Sequence, residues 1–197
     1  MEFLGNIVIM AISAIFINNF ILAKFLGLCP YLGVSKKLDS AFGMGMAIIF
    51  VMTMSSAFTW IIDHYLLIPN DLSYLQTIAF ILAIAVLVQF VEMIIQKSAP
   101  VLYRSLGVYL PLMSTNCAIL GVAIMNKTES LTFAESVFHG LFSGVGFTLV
   151  MLLMAGIRER LEKADVPVSM RGMPLALIIA GSMALAFLGF AGLKIGG

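Results

Sequence analysis

The chain has 197 residues, of which 61% are hydrophobic and 11% charged, and its mean hydropathy is +1.09. A soluble domain is about 45–50% apolar and about 25% charged, so an ordinary cytosolic globule and a disordered chain are both excluded. With 11 Lys+Arg against 10 Asp+Glu there is no basic field to attract phosphate, which excludes a nucleic-acid binder.

A membrane span needs ~20 mostly apolar residues, because a helix rises ~1.5 Å per residue and the hydrocarbon core is ~30 Å thick. Six windows meet that length: residues 4–23, 41–62, 74–95, 101–125, 138–157 and 173–193. The apolar runs are solid rather than alternating, which excludes a β-barrel. The fold class is all-α, a polytopic membrane protein. The first window lacks the positive start of a signal peptide, and Asn18-Asn19 interrupts it, so it reads as an uncleaved span. Leu28 stands where a lipoprotein cleavage site before Cys29 needs a small residue. Lys24 is expected to snorkel to the cytoplasmic surface while the chain folds back inward.

In the second window Thr53, Ser55, Ser56 and Thr59 are expected to bond back to helix carbonyls rather than solvate an ion. In the third, Glu92 shares a helical face with Gln89 and Gln96. A carboxylate at that depth is a candidate for an ion pathway; the competing expectation pairs it with Lys97 or Arg104 near the membrane surface. His139 is expected at the interface, and Gly140 with Gly144 forms a G-x-x-x-G suited to close helix contact. Arg158-Glu159-Arg160-Leu161-Glu162-Lys163 reads as a solvated continuation of the fifth span. The methionines and phenylalanines fill the core and face lipid.

Basic residues fix the expected orientation. Lys24, Lys36 and Lys37 fall in the first loop, Lys97 and Arg104 in the third, and Arg158, Arg160, Lys163 and Arg171 in the fifth, leaving Lys127 and Lys194 for the other side. Nine of the eleven basic residues thus lie on one side, which predicts cytoplasmic odd loops and both termini outside.

The chain also repeats itself. Cys29-Pro30-Tyr31-Leu32-Gly33-Val34 recurs as Cys117-Ala118-Ile119-Leu120-Gly121-Val122, and Gly43-Met44-Gly45 as Gly144-Val145-Gly146. Cysteine occurs only twice, and both copies fall at matching places. Three spans per half is an odd number, so the halves, 1–97 and 98–197 of a single membrane domain, must cross in opposite directions. Inverted repeats are a transporter architecture that places sites near the midplane. Gly27, Pro30 and Gly33 near the first cysteine, with Gly107, Pro111 and Gly121 near the second, predict broken or re-entrant helices there.

A cysteine in a membrane helix is often only a small apolar side chain. Two that converge on a pseudo-twofold axis have further options, a disulfide or half of a four-thiolate site. No C-x-x-C is present, so any second pair of ligands would come from another polypeptide. No G-x-G-x-x-G or P-loop stands in strand–helix context, and no flavin-attachment site is legible; the chain is expected to bind neither nucleotide nor flavin alone.

Asn18-Asn19-Phe20, the run from Leu28-Cys29-Pro30 to Ser35-Lys36-Lys37, Leu110-Pro111-Leu112 and Asn116-Cys117-Ala118-Ile119 resemble the A subunit of the Rnf ion-translocating oxidoreductase complexes. So do Phe133-Ala134-Glu135-Ser136, Ser143-Gly144-Val145-Gly146, Ala155-Gly156-Ile157-Arg158-Glu159 and Asp165-Val166-Pro167. The likeness covers essentially the whole chain. The E subunit of the Na⁺-translocating NADH:quinone oxidoreductase is the sister family, and Pro30 after Cys29 favours the Rnf side. The resemblance implies six helices in two inverted halves, a homologous membrane subunit of opposite orientation, and flavin and iron–sulfur subunits besides. It implies that Cys29 and Cys117 hold iron of a [2Fe–2S] cluster shared with that homologous subunit. It also implies electron relay between ferredoxin and NAD⁺ coupled to Na⁺ or H⁺ movement, in a bacterial or archaeal inner membrane, with no catalysis by the isolated chain. The residues alone leave two alternatives, a small secondary transporter with structural cysteines and a thiol–disulfide relay.

Overall fold

The computed structural model describes residues 2–35, 38–69, 73–98, 116–165 and 167–191, and every regular element among these is helical. α1 (Glu2–Ile12) runs on through a π-helical turn, Ser13–Ile17, closed by Asn18 N donating to Ser13 O at 2.7 Å. α2 is Leu28–Val34, and α3 is Leu38–Ile62, extended by a second π-helical turn at Asp63–Leu67. α4 is Gln76–Ser98, α5 Cys117–Thr128, α6 Phe133–Leu161 and α7 Met173–Ala191.

Four stretches are long and apolar enough to cross a membrane: Leu38–Leu67, Gln76–Ile94, Phe133–Leu161 and Met173–Phe190. They match the second, third, fifth and sixth sequence windows. The other two windows hold shorter apolar helices, Ile7–Ile17 and Cys117–Thr128. Most of the fourth window, 101–115 with Arg104, Gly107 and Pro111, lies outside the described residues, as do Lys36, Lys37 and Lys194. The chain is an all-helical, polytopic membrane protein.

α3 and α6 form the central pair and run antiparallel: Gly45 abuts Thr148, Gly144 abuts Ile49, and Gly140 abuts Met52 and Ser56. A Cβ at Gly144 would stand 2.8 Å from Ile49 Cα, and one at Gly140 2.9 Å from Met52 O. The G-x-x-x-G of α6 is therefore the point where two backbones approach. Thr148 Oγ1 bridges them, donating to Gly45 O at 3.1 Å and Gly144 O at 2.8 Å. Met44, Ile48, Val51 and Met52 pack against Phe147, Val150, Met151 and Met154, all buried. The apolar outer faces, such as Ile78, Leu82, Val86 and Phe90 of α4 and Leu185 and Leu188 of α7, stay exposed, as expected where lipid is the solvent.

The bundle has two distinct ends. At one, the α5–α6 hairpin is held by an Asp63–Lys127 ion pair, Trp60 Nε1 donating to Leu131 O at 3.0 Å, and a capping box between Thr132 and Glu135. At the other, Arg158 Nη1 donates to Leu32 O at 2.9 Å and Ser35 Oγ at 3.0 Å. Arg158 is thus half-buried and tied to α2, while Glu159, Arg160, Glu162 and Lys163 are solvated as the sequence predicts.

Candidate functional site

The first crossing is broken in its middle. Helix stops at Ile17, the chain runs irregularly through 18–27, and α2 restarts at Leu28. The apolar window 4–23 therefore ends six residues too late as a helix, because hydropathy does not register hydrogen bonding: Phe20, Ile21 and Leu22 are buried although they are not helical. Asn19, itself buried, pins the break. Its Nδ2 donates to Ile15 O at 3.0 Å and to Gly146 O of α6 at 2.9 Å, and its Oδ1 accepts from Ile21 N at 3.1 Å. Non-helical backbone at membrane depth needs this kind of internal satisfaction.

Gly27 is the N-cap of α2 and has φ +79°, a left-handed value that favours glycine. It also has no room for a side chain. A Cβ there would stand 2.6 Å from Phe147 Cε2, 3.0 Å from Asn116 Oδ1 and 3.1 Å from Ala118 Cβ. Asn116 is the N-cap of α5, its Oδ1 accepting from Ala118 N at 2.9 Å. The starts of α2 and α5 therefore meet, and they meet beside Phe147, the middle residue of α6.

Cys29 is the second residue of α2 and Cys117 the first of α5. Cys29 thus stands two residues beyond Gly27, and Cys117 directly follows Asn116, at the two helix starts that meet. Both are exposed, and no disulfide joins them. Two thiols supply half of the four that a [2Fe–2S] cluster takes, and among the described residues no three His, Cys, Asp or Glu side chains converge to complete a metal site within the chain. The donor set suits a group shared with a second polypeptide, since exposed thiols in an otherwise apolar bundle are reachable from outside the chain.

Other candidates fall elsewhere. Glu92 is half-buried near the C-terminal end of α4, away from the meeting point of α2 and α5, and among the described residues it forms no ion pair with Lys97. Thr53 and Thr59 bond back to Ile49 O and Ser55 O, both at 2.7 Å, as predicted; Ser55 and Ser56 do not, and their hydroxyls are buried without a partner among the described residues.

One expectation is corrected. Lys24 does not snorkel toward the Arg158 end. Its Nζ lies 2.7 Å from Met125 Sδ, near the hairpin end of α5, and 5.6 Å from the Phe20 ring centre. The break turns the chain back along α5, and Lys24 follows it. His139 is buried within the bundle at 6% exposure, its Nδ1 2.6 Å from Asn126 Oδ1. Asn126, in the preceding helix, supplies the partner that a buried ring nitrogen requires.

Sequence reasoning marked Asn19 only as an interruption of the first span, and did not single out Phe147 or the capping role of Asn116. An Asn just before an apolar helix is a legible N-cap signal; the contacts of Asn19 and Phe147 across the fold leave none.

A family model described as "Rnf-Nqr subunit, membrane protein" matches residues 7–194. The A subunit of the Na⁺-translocating ferredoxin:NAD⁺ oxidoreductase complex of Acetobacterium woodii is 57% identical over 191 residues, covering 97% of this chain and 100% of that protein. The A subunit of the ion-translocating oxidoreductase complex of Cronobacter sakazakii is 58% identical over 182 residues, 92% of this chain and 94% of its own. The protein of the same name from Syntrophotalea carbinolica is 55% identical over 188 residues, 95% and 97% of the two chains. With likeness running through both cysteine helices and all four membrane-long stretches, the chain belongs to the Rnf-Nqr family of membrane subunits.

Proposed function

We propose that this chain is the A subunit of an ion-translocating ferredoxin:NAD⁺ oxidoreductase, and that Cys29 and Cys117 supply two of the four thiolates of a [2Fe–2S] cluster shared with a homologous membrane subunit. The observation that carries the reading is the contact of Gly27 with Asn116 and Ala118, which joins the starts of the two cysteine helices. The names and high identity of the relatives support the activity at the level of the complex. When bound, such a cluster passes single electrons.

The residues of this chain have separate roles. Cys29 and Cys117 would supply the sulfur ligands, and both are exposed. Gly27 allows the close approach, and Phe147 and Ala118 wall the site with apolar surface that excludes water. Asn19 anchors the broken backbone to α6 and so fixes where α2 begins. Were a cluster held there, an electron on it would add negative charge in a low-dielectric region, where uncompensated charge is costly. A cation drawn toward that depth offsets the cost, which ties electron flow to movement of Na⁺ or H⁺. The antiparallel α3–α6 pair suits the inverted halves that the sequence repeat predicts. The excess of basic residues in the odd loops puts both termini outside in this reading, and Glu92 is a secondary candidate on the ion path.

The test is Cys29→Ser with Cys117→Ser in the assembled complex. The expected result is loss of about two iron atoms per complex, with ferredoxin-driven NAD⁺ reduction abolished while the subunits still co-purify. Unchanged iron content and activity overturn the proposal.

A further inference from the structure

A second polar feature lies apart from the cysteines. A cavity of about 360 Å³ opens among α1, the first broken segment and the α5–α6 hairpin, and Ser13, Asn18, Glu129, Glu135 and His139 give it a polar wall. Two carboxylates line it. The hairpin's own lysine, Lys127, is engaged by Asp63. Lys24 reaches Met125, which also lines the cavity, so one ammonium sits beside two carboxylates. His139 is 6% exposed, and its Nδ1 lies against Asn126 Oδ1. One turn to either side on the same stripe of α6, the buried Ser136 and Ser143 hydroxyls lack partners among the described residues. A buried polar group without a protein partner is normally satisfied by water. Here two such hydroxyls flank His139, which lines the acidic cavity, on the stripe of α6 that runs toward Gly146, where Asn19 fixes the break.

We propose that this cavity is an aqueous vestibule admitting small monovalent cations from the hairpin end of the bundle toward mid-depth. The carboxylates of Glu129 and Glu135 raise cation concentration at the mouth, and water in contact with His139 keeps the ion solvated below it. The ion-coupling purpose rests on the function proposed above. The accessibility and charge preference of the cavity do not.

The experiment therefore reads the cavity directly. Ser13→Cys and, separately, Asn18→Cys are placed in the intact complex in membrane vesicles. Each is treated with membrane-impermeant thiol reagents of opposite charge, against a background complex carrying only native cysteines. Both variants are expected to react, and about tenfold faster with the cationic reagent than with the anionic one. Adding Glu129→Gln should bring the ratio toward one. Leu185→Cys, on the lipid face, should remain unlabelled. The vestibule is overturned if neither wall position reacts while the exposed hairpin variant Thr128→Cys does, or if the rate ratio ignores Glu129→Gln. Iron content measured on the same preparations separates this outcome from failure of the cluster proposal, because labelling requires no iron.

Discussion

The side-chain amide of Asn19 makes three hydrogen bonds to backbone, one of them to Gly146, 127 residues away. In water such bonds compete with solvent; at membrane depth the alternative is an unsatisfied carbonyl or amide in hydrocarbon. Asn18 is the contrast. It is exposed, and among the described residues its amide reaches only the Ser13 hydroxyl, at 3.2 Å. Asn19→Ala is accordingly expected to destabilise the chain by about 1–2 kcal/mol, and Asn18→Ala by no more than about 0.5 kcal/mol. Thermal denaturation of the two variants in detergent, followed by retention of monodisperse protein, orders them. Equal loss would mean that the break is held by apolar packing of Phe20, Ile21 and Leu22 rather than by the amide. Gly27 belongs at the same scale: any Cβ there meets Phe147, Asn116 and Ala118 and also requires a left-handed backbone. Gly27→Ala is expected to push the starts of α2 and α5 apart and to lower iron content before it lowers the amount of folded chain, both measured on one preparation.

At the level of elements, the α3–α6 pair depends on missing side chains. Gly140 and Gly144 let α6 approach the backbone of α3, whereas a Cβ at Gly156, further along the same helix, would meet nothing within 4 Å. Gly144→Ala therefore forces backbone apart and destabilises, while Gly156→Ala gains about 0.8–1 kcal/mol of helix propensity at no steric cost. Effects of opposite sign in a stability measurement are the expected outcome. This interface was legible in the sequence because small residues four apart mark a close contact in membranes. The four long spans were legible for a similar reason, since apolar length is a local property. The path of the first crossing was not. Asn18-Asn19 signals an interruption, but its continuation through 18–27 into α2 is set by Gly146 and Asn116, which are remote in sequence. Lys24 was misplaced for the same reason, because it is positioned by α5, through Met125, rather than by its own neighbours. Of the candidate site, the cysteine pairing was legible from the repeat, and the contact that joins the two helix starts was not.

For the whole molecule, charge and depth combine into one asymmetry. Removing Lys24 from the loop count leaves eight of eleven basic residues on the Arg158 side by sequence, so the basic excess on that side persists after the correction. The hairpin end bears Lys127, which Asp63 neutralises, together with the carboxylates of Glu129 and Glu135. An acidic end and a basic end separated by a membrane-long α6, about 43 Å at 1.5 Å per residue, give a bundle whose insertion direction is set by the cost of translocating the basic loops. The expected arrangement puts the hairpin outside and the Arg158 end in the cytoplasm. It is checked with two single-cysteine additions at exposed positions, Thr128→Cys at the hairpin and Glu162→Cys beyond Leu161. In intact cells an impermeant thiol reagent should label Thr128→Cys and leave Glu162→Cys untouched, and inverted vesicles should reverse the pattern. The converse labelling would turn the molecule over. It would then make the acidic cavity a cytoplasmic mouth, with cations entering from the cytoplasm.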